Sequence, residues 1–135
     1  MAQSTMVSGN RRTYIAGADL SLKQFYIVKV NGTTDNQVIT ATDATTNVHL
    51  GVLMNAPKAN DLADVYLRNA SGTGRVIIGT GGCAIGDALT SGATGDAGKA
   101  IVTTTGNDQV LGYAAHAYNA GDIGEFYPGG FVRVR

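Results

Sequence analysis

The sequence holds one cysteine, Cys83, so no disulfide can close within the chain and the fold requires no oxidising compartment. Cys83 lies in the small-residue run Gly81-Gly82-Cys83-Ala84-Ile85, a setting for a small buried hydrophobe. Histidine is scarce too, with two in the chain. His49 and His116 stand at no ligand spacing from each other or from Cys83, and a zinc site needs three or four such ligands. No metal and no cofactor are expected. No apolar run approaches eighteen residues, which argues against a membrane-spanning helix. The first residues lack the apolar core of a secretory leader, so the chain reads as a soluble intracellular product.

Net charge is missing too: ten Lys/Arg balance ten Asp/Glu, which removes the simplest case for nucleic-acid binding. The balance is uneven along the chain. Arg11 and Arg12 lie near the start and Arg133 and Arg135 at the end, leaving six Lys/Arg against ten Asp/Glu in the body. Such basic ends either dock on an acidic partner surface or stay solvated and aid solubility.

Catalytic signatures are absent as well. Residues 92–99 resemble a phosphate-binding loop, but Ala93 and Ala100 stand where that loop needs Gly and Ser/Thr, so the stretch reads as a turn. Gly79, Gly81 and Ala84 fit a dinucleotide fingerprint, yet Ile85-Gly86-Asp87-Ala88-Leu89 is no helix to hold a pyrophosphate. No Gly-x-Ser-x-Gly elbow exists. Asp61, Asp64, Asp122 and Glu125 lie at turns before strands, where Asp commonly fixes the turn. The chain is not expected to be an enzyme.

What is present is glycine, at about twice its usual share of roughly 7%, together with abundant threonine. Glycine weakens helices through backbone entropy, and threonine packs well on a pleated sheet. Short strands and tight turns follow. The chain also repeats itself. Leu50-Gly51 matches Leu111-Gly112, Asp61-Leu62 matches Asp122-Ile123, and Asp64-Val65-Tyr66 matches Glu125-Phe126-Tyr127. With two residues dropped before Leu111, Leu22, Phe25 and Tyr26 fall on Ile85, Ala88 and Leu89, and Ile39-Thr40 falls on Val102-Thr103.

Strands are expected over residues 13–16, 24–30, 37–42, 48–54, 64–68 and 75–78, then 84–89, 99–103, 110–116, 123–127 and 131–135. Asn31-Gly32 marks one hairpin, and residues 69–74 a second between 64–68 and 75–78. The fold class is therefore all-β: a compact antiparallel barrel or sandwich of two similar halves, with an extended N-terminal arm. The expected divisions are an arm over 1–13 and one β-domain over 14–135, repeating at about 17–80 and 81–135. Tyr66, Tyr113, Tyr118 and Tyr127 read as core or interface rings, with sugar or base stacking as the other option.

Ile85-Gly86-Asp87-Ala88-Leu89, then Gly98-Lys99-Ala100-Ile101-Val102-Thr103, then Val110-Leu111-Gly112-Tyr113-Ala114, then Ala120-Gly121-Asp122-Ile123-Gly124-Glu125-Phe126 run in that order. This pattern resembles the small capsid cement, or head decoration, proteins of tailed bacteriophages. The first copy departs from it: Lys23-Gln24 stands where Gly-Asp is expected, and Asn60 replaces the glycine before Asp61. The resemblance implies a structural virion protein, made in the host cytoplasm, that sits on the capsid outer surface and bridges coat subunits. It implies the major capsid protein as partner and a homo-oligomer, a trimer rather than a dimer, with no nucleic acid and no membrane. Arg11, Arg12 and Tyr14 are the candidate capsid-contact residues of the arm. It brings no catalytic, cofactor or metal residues. The alternative is a carbohydrate-binding β-module of a phage tail or cell-surface assembly, marked by an exposed tyrosine row. A third reading, a small hydrolase using Asp61, Asp122 or Glu125, requires a pocket with two close carboxylates.

Overall fold

The computed structural model describes residues 11–45, 49–103, 106 and 108–132, and only the backbone of 130–132. Ten strands follow one another: β1 Arg11–Ala16, β2 Ile27–Val30, β3 Gln37–Thr40, β4 His49–Leu53, β5 Leu62–Leu67, β6 Gly74–Ile77, β7 Ala88–Ser91, β8 Ala100–Val102, β9 Gln109–Ala114 and β10 Ile123–Val132. A single 3-10 turn, Thr94–Asp96, separates β7 from β8. The fold is all-β, as expected.

The first five strands close a barrel in the order β1-β3-β2-β4-β5, and the last five form a sheet ordered β6-β10-β9-β7-β8. These are two copies of one plan. β1 runs parallel to β3 at Ala16 and Val38, and Ile78 beyond β6 bridges Ala100 of β8 in parallel. Ile15 lies opposite Leu62 where Ile77 lies opposite Ile123. Ile27 faces Val52, and Ala88 faces Tyr113. Val52 in turn faces Tyr66, and Tyr113 faces Tyr127.

The shared glycines have a steric cause. A methyl group on Gly51 would overlap the carbonyl of Tyr66, and one on Gly112 would overlap the carbonyl of Tyr127. Neighbouring strands can approach that closely only where no Cβ stands between them.

Inside the barrel, Tyr14, Ala16, Val28, Val38, Leu53 and Val65 form one buried cluster. The second cluster combines Ile78, Leu89, Ala100, Leu111 and Phe126 of the second unit with Ile27, Ala41, Val52 and Tyr66 from the outer wall of the first. The alternation of β2 explains this division: Val28 points into the barrel and Ile27 points out, beneath the second unit. Tyr66 meets Phe126 edge to face, with centroids 6.3 Å apart. Two backbone bonds stitch the seam, from Ile77 N–H to the Phe25 carbonyl (3.0 Å) and from Ile27 N–H to the Gly98 carbonyl (2.7 Å).

Several expectations need correction. Residues 1–10 of the expected arm and Arg133 to Arg135 of the expected last strand lie outside the described residues. Arg11 to Thr13, assigned to the arm, belong to β1, because β5 offers Tyr66 to Leu62 as an antiparallel partner. The repeat runs from β1 to β5 and from β6 to β10, so its boundary lies between Leu67 and Gly74 rather than near residue 80. β5 and β6 form no hairpin. Both edges of β5 are taken by β1 and β4 within the barrel, so β6 crosses over to pair with β10. Pro128 does not end β10, which passes it through a register shift against β9, one of the few sites where a strand tolerates proline. Strand β2 starts at Ile27 and not at residue 24, because Phe25 has a φ of +69°.

Candidate docking surfaces

A groove of about 530 Å³ lies beside β1. β3 begins only at Gln37, so it reaches Ile15 and Ala16 and leaves the earlier residues of β1 beyond its end. Alternation along β1 then sorts the side chains. Tyr14 is buried in the barrel mouth, and Arg12 lies above it with its guanidinium carbon 4.9 Å from the ring centroid. Arg11, Thr13 and Ile15 point outward. Arg11 forms an ion pair with Asp64, and its Nε donates to that carboxylate at 3.1 Å. Ile15 and Leu62, opposite one another in register, are both exposed and join Asn36 in lining the groove.

The three residues expected as arm contacts are thus brought together, but on a strand of the barrel. Arg11 and Arg12 are presented to solvent, whereas the Tyr14 ring is 8% exposed and serves as a floor.

A second groove, of about 430 Å³, lies on the outer face of the second unit. Gly86, Asp87 and Ala88 form one wall, and Val102, Thr103, Val110 and Tyr113 complete it. The turn leading into β7 builds this wall: the Asp87 carboxylate accepts the Ala84 N–H at 2.8 Å, and Gly86 takes a φ of +82°. Tyr127 continues the surface, opposite Tyr113 in register. These two rings are 54% and 37% exposed, while Tyr66 is buried and Tyr118 half-buried, with its hydroxyl accepting the Glu125 N–H at 2.9 Å. The four tyrosines divide evenly between surface and interior.

The carboxylates behave as turn and strand fixtures. Asp122 accepts the Asn119 N–H at 2.8 Å, and Glu125 accepts the Thr73 hydroxyl at 3.0 Å with His116 at 3.8 Å. Each groove is lined by a single carboxylate, Asp64 in the first and Asp87 in the second. Among the described residues no three His, Cys, Asp or Glu converge as metal ligands. His49 is fully buried, its Nε2 2.9 Å from the Asp43 carbonyl, and burial lowers its pKa. Cys83 is half-buried, and burial raises its thiol pKa away from the reactive thiolate. Among the described residues no helix is long and apolar enough to cross a membrane.

The second groove is not among the sites expected from the sequence. Phe25 and Ile27 of the first copy correspond to Gly86 and Ala88 of the second, so the expected match of Phe25 with Ala88 and of Lys23-Gln24 with Gly86-Asp87 is out of register by two residues, which hid the loss of bulk there. A loss of bulk at one point of a repeat marks a face that has no neighbour of its own in the chain.

No protein-family model matches this sequence, and no curated protein matches it. Among solved structures, the chain is similar to the crystal structure of the head fiber gp8.5 N base of bacteriophage phi29. The TM-score is 0.68 at 21% identity, over 93% of this chain and 97% of that one. At that identity the two share a fold.

Proposed function

We propose that this chain is a structural protein of a tailed-phage virion, placed on the outer surface of the head, where it bridges neighbouring coat subunits and reinforces the shell. The observation that carries this reading is the likeness in fold to a phage head fiber base, which extends over 93% of this chain. The surfaces support it. Both grooves are shallow docking faces without paired carboxylates, and the first presents Arg11 and Arg12 to an acidic rim of a coat protein. In a homo-oligomer, preferably a trimer on a three-fold position of the shell, the second and third contacts become intramolecular and gain avidity.

A carbohydrate-binding module is the second reading, favoured by the exposed cross-strand pair Tyr113 and Tyr127. Parallel binding assays separate the two. Retention on expanded, empty heads of the encoding phage, without glycan binding, is the expected result. Glycan binding abolished by Tyr127→Ala, with no retention on heads, would reverse the assignment.

A further inference from the structure

The two grooves are related to each other through the internal repeat. The seam between the units consists of a projecting segment and the cleft that receives it. The segment is residues 25–27 of the first unit, which lies beside β6 and Gly98 of the second through the bonds from Ile77 to Phe25 and from Ile27 to Gly98. Tyr66 belongs to the same face, with its ring against Gly74.

Each side of that seam has a counterpart that the described residues leave uncovered. The counterpart of residues 25–27 is 86–88. Phe25 N–H bonds the Leu53 carbonyl as Gly86 N–H bonds that of Ala114, both at positive φ. Ala41 N–H bonds Ile27 as Thr103 N–H bonds Ala88. Tyr66 corresponds to Tyr127. This is the second groove. On the receiving side, Gly74 corresponds to Arg12 and Ile77 to Ile15. Gly98 corresponds to Asn36, each at positive φ two residues before the residue that pairs in parallel, Ala100 with Ile78 and Val38 with Ala16. This is the first groove.

We propose that copies of this chain join head to tail, the 86–88 segment and Tyr127 of one copy docking in the Arg12, Ile15 and Asn36 groove of the next. The outer contact repeats the geometry of the inner seam and is heterologous, so it closes a ring where the rotation permits and otherwise propagates. Side-chain sizes change in opposite directions on the two faces. Gly98 meets Tyr26 and Ile27 inside the chain. At the outer contact the larger Asn36 meets Asp87 and Ala88, and an Asn amide and a carboxylate make a hydrogen-bonding pair. Arg12 replaces Gly74 and faces Tyr127 in place of Tyr66, a cation over an aromatic ring. Charge is complementary, with Arg12 on one face, where Arg11 is already paired with Asp64, and Asp87 on the other. One bond is exchanged: Ile15 N–H, held by the Asn36 carbonyl at 2.8 Å, is released to the incoming carbonyl of Gly86.

The test is sedimentation of the purified full chain with two variants, Ile15→Glu in the receiving groove and Ala88→Arg on the projecting face. The wild type is expected to assemble, as a ring of fixed size or a series that grows with concentration. Each variant alone is expected to sediment as a monomer, and their equimolar mixture as a 1:1 dimer, because each retains one intact face. That recovery also shows that both variants fold. Leu22→Glu, at an exposed apolar position outside both grooves, should assemble like the wild type. A monomeric wild type, disruption by only one of the two variants, or a mixture that stays monomeric would overturn the proposal. These outcomes are independent of head binding.

Discussion

At the scale of single residues, the two strongest constraints are a buried imidazole and a pair of missing side chains. His49 is neutral in the folded protein because burial lowers its pKa below the ordinary 6.5. The unfolded chain therefore binds the proton first as pH falls, and stability present above about pH 6.5 is lost below it. The denaturation midpoint is expected to drop between pH 7 and pH 5, by at most about 1.4 kcal/mol per pH unit for this proton. His49→Gln should flatten that slope; an unchanged slope would assign it to the carboxylates. Gly51→Ala and Gly112→Ala place a methyl group into the Tyr66 and Tyr127 carbonyls, respectively. Each should cost about 3 kcal/mol or more, read as a fall in the urea midpoint at constant slope. Asn60 shows how such detail is half legible. It looked like a departure from the Gly-Asp pattern, yet it takes a φ of +69° where Gly121 takes +91°. Asn is among the few side-chain-bearing residues that accept that region, so chemistry differs while conformation is kept.

At the scale of elements, the strands were legible where β-branched and aromatic residues alternate, as in β2, β5 and β9, because side-chain packing there agrees with backbone preference. The repeat at Gly51 and Gly112 was legible for the same steric reason. Partners were not. Arg11-Arg12-Thr13 reads as a polar arm, and only the pairing edge of β5, some fifty residues away in sequence, makes it a strand. The hairpin expected around residues 69–74 failed because turn chemistry does not say whether the flanking strands still have free edges. The candidate contacts Arg11 and Arg12 were found from charge, but the second groove was hidden, since small residues at 86 and 88 carry no motif. β1 also supplies the prediction that belongs to this scale. Deletion of residues 1–10 should leave the cooperative unfolding transition in place. Deletion of residues 1–16 removes Tyr14 and Ala16 from the barrel core and takes β1 away from both β3 and β5, and should abolish that transition in circular-dichroism melts.

At the scale of the whole molecule, two five-stranded units share one apolar seam, and among the described residues the counterparts of its two faces line the two grooves. Barrel closure in the first unit removes the free edges of its five strands. The fold the chain shares with a phage head fiber base is what motivates the proposed place on a phage head. The decisive measurement is titration of the purified chain onto expanded, empty heads, with bound copies counted after co-sedimentation. Saturation at a fixed ratio of copies to coat subunits is the result this account expects, and the ratio would identify the symmetry position occupied. Failure to pellet with heads at any concentration, before or after shell expansion, would contradict it.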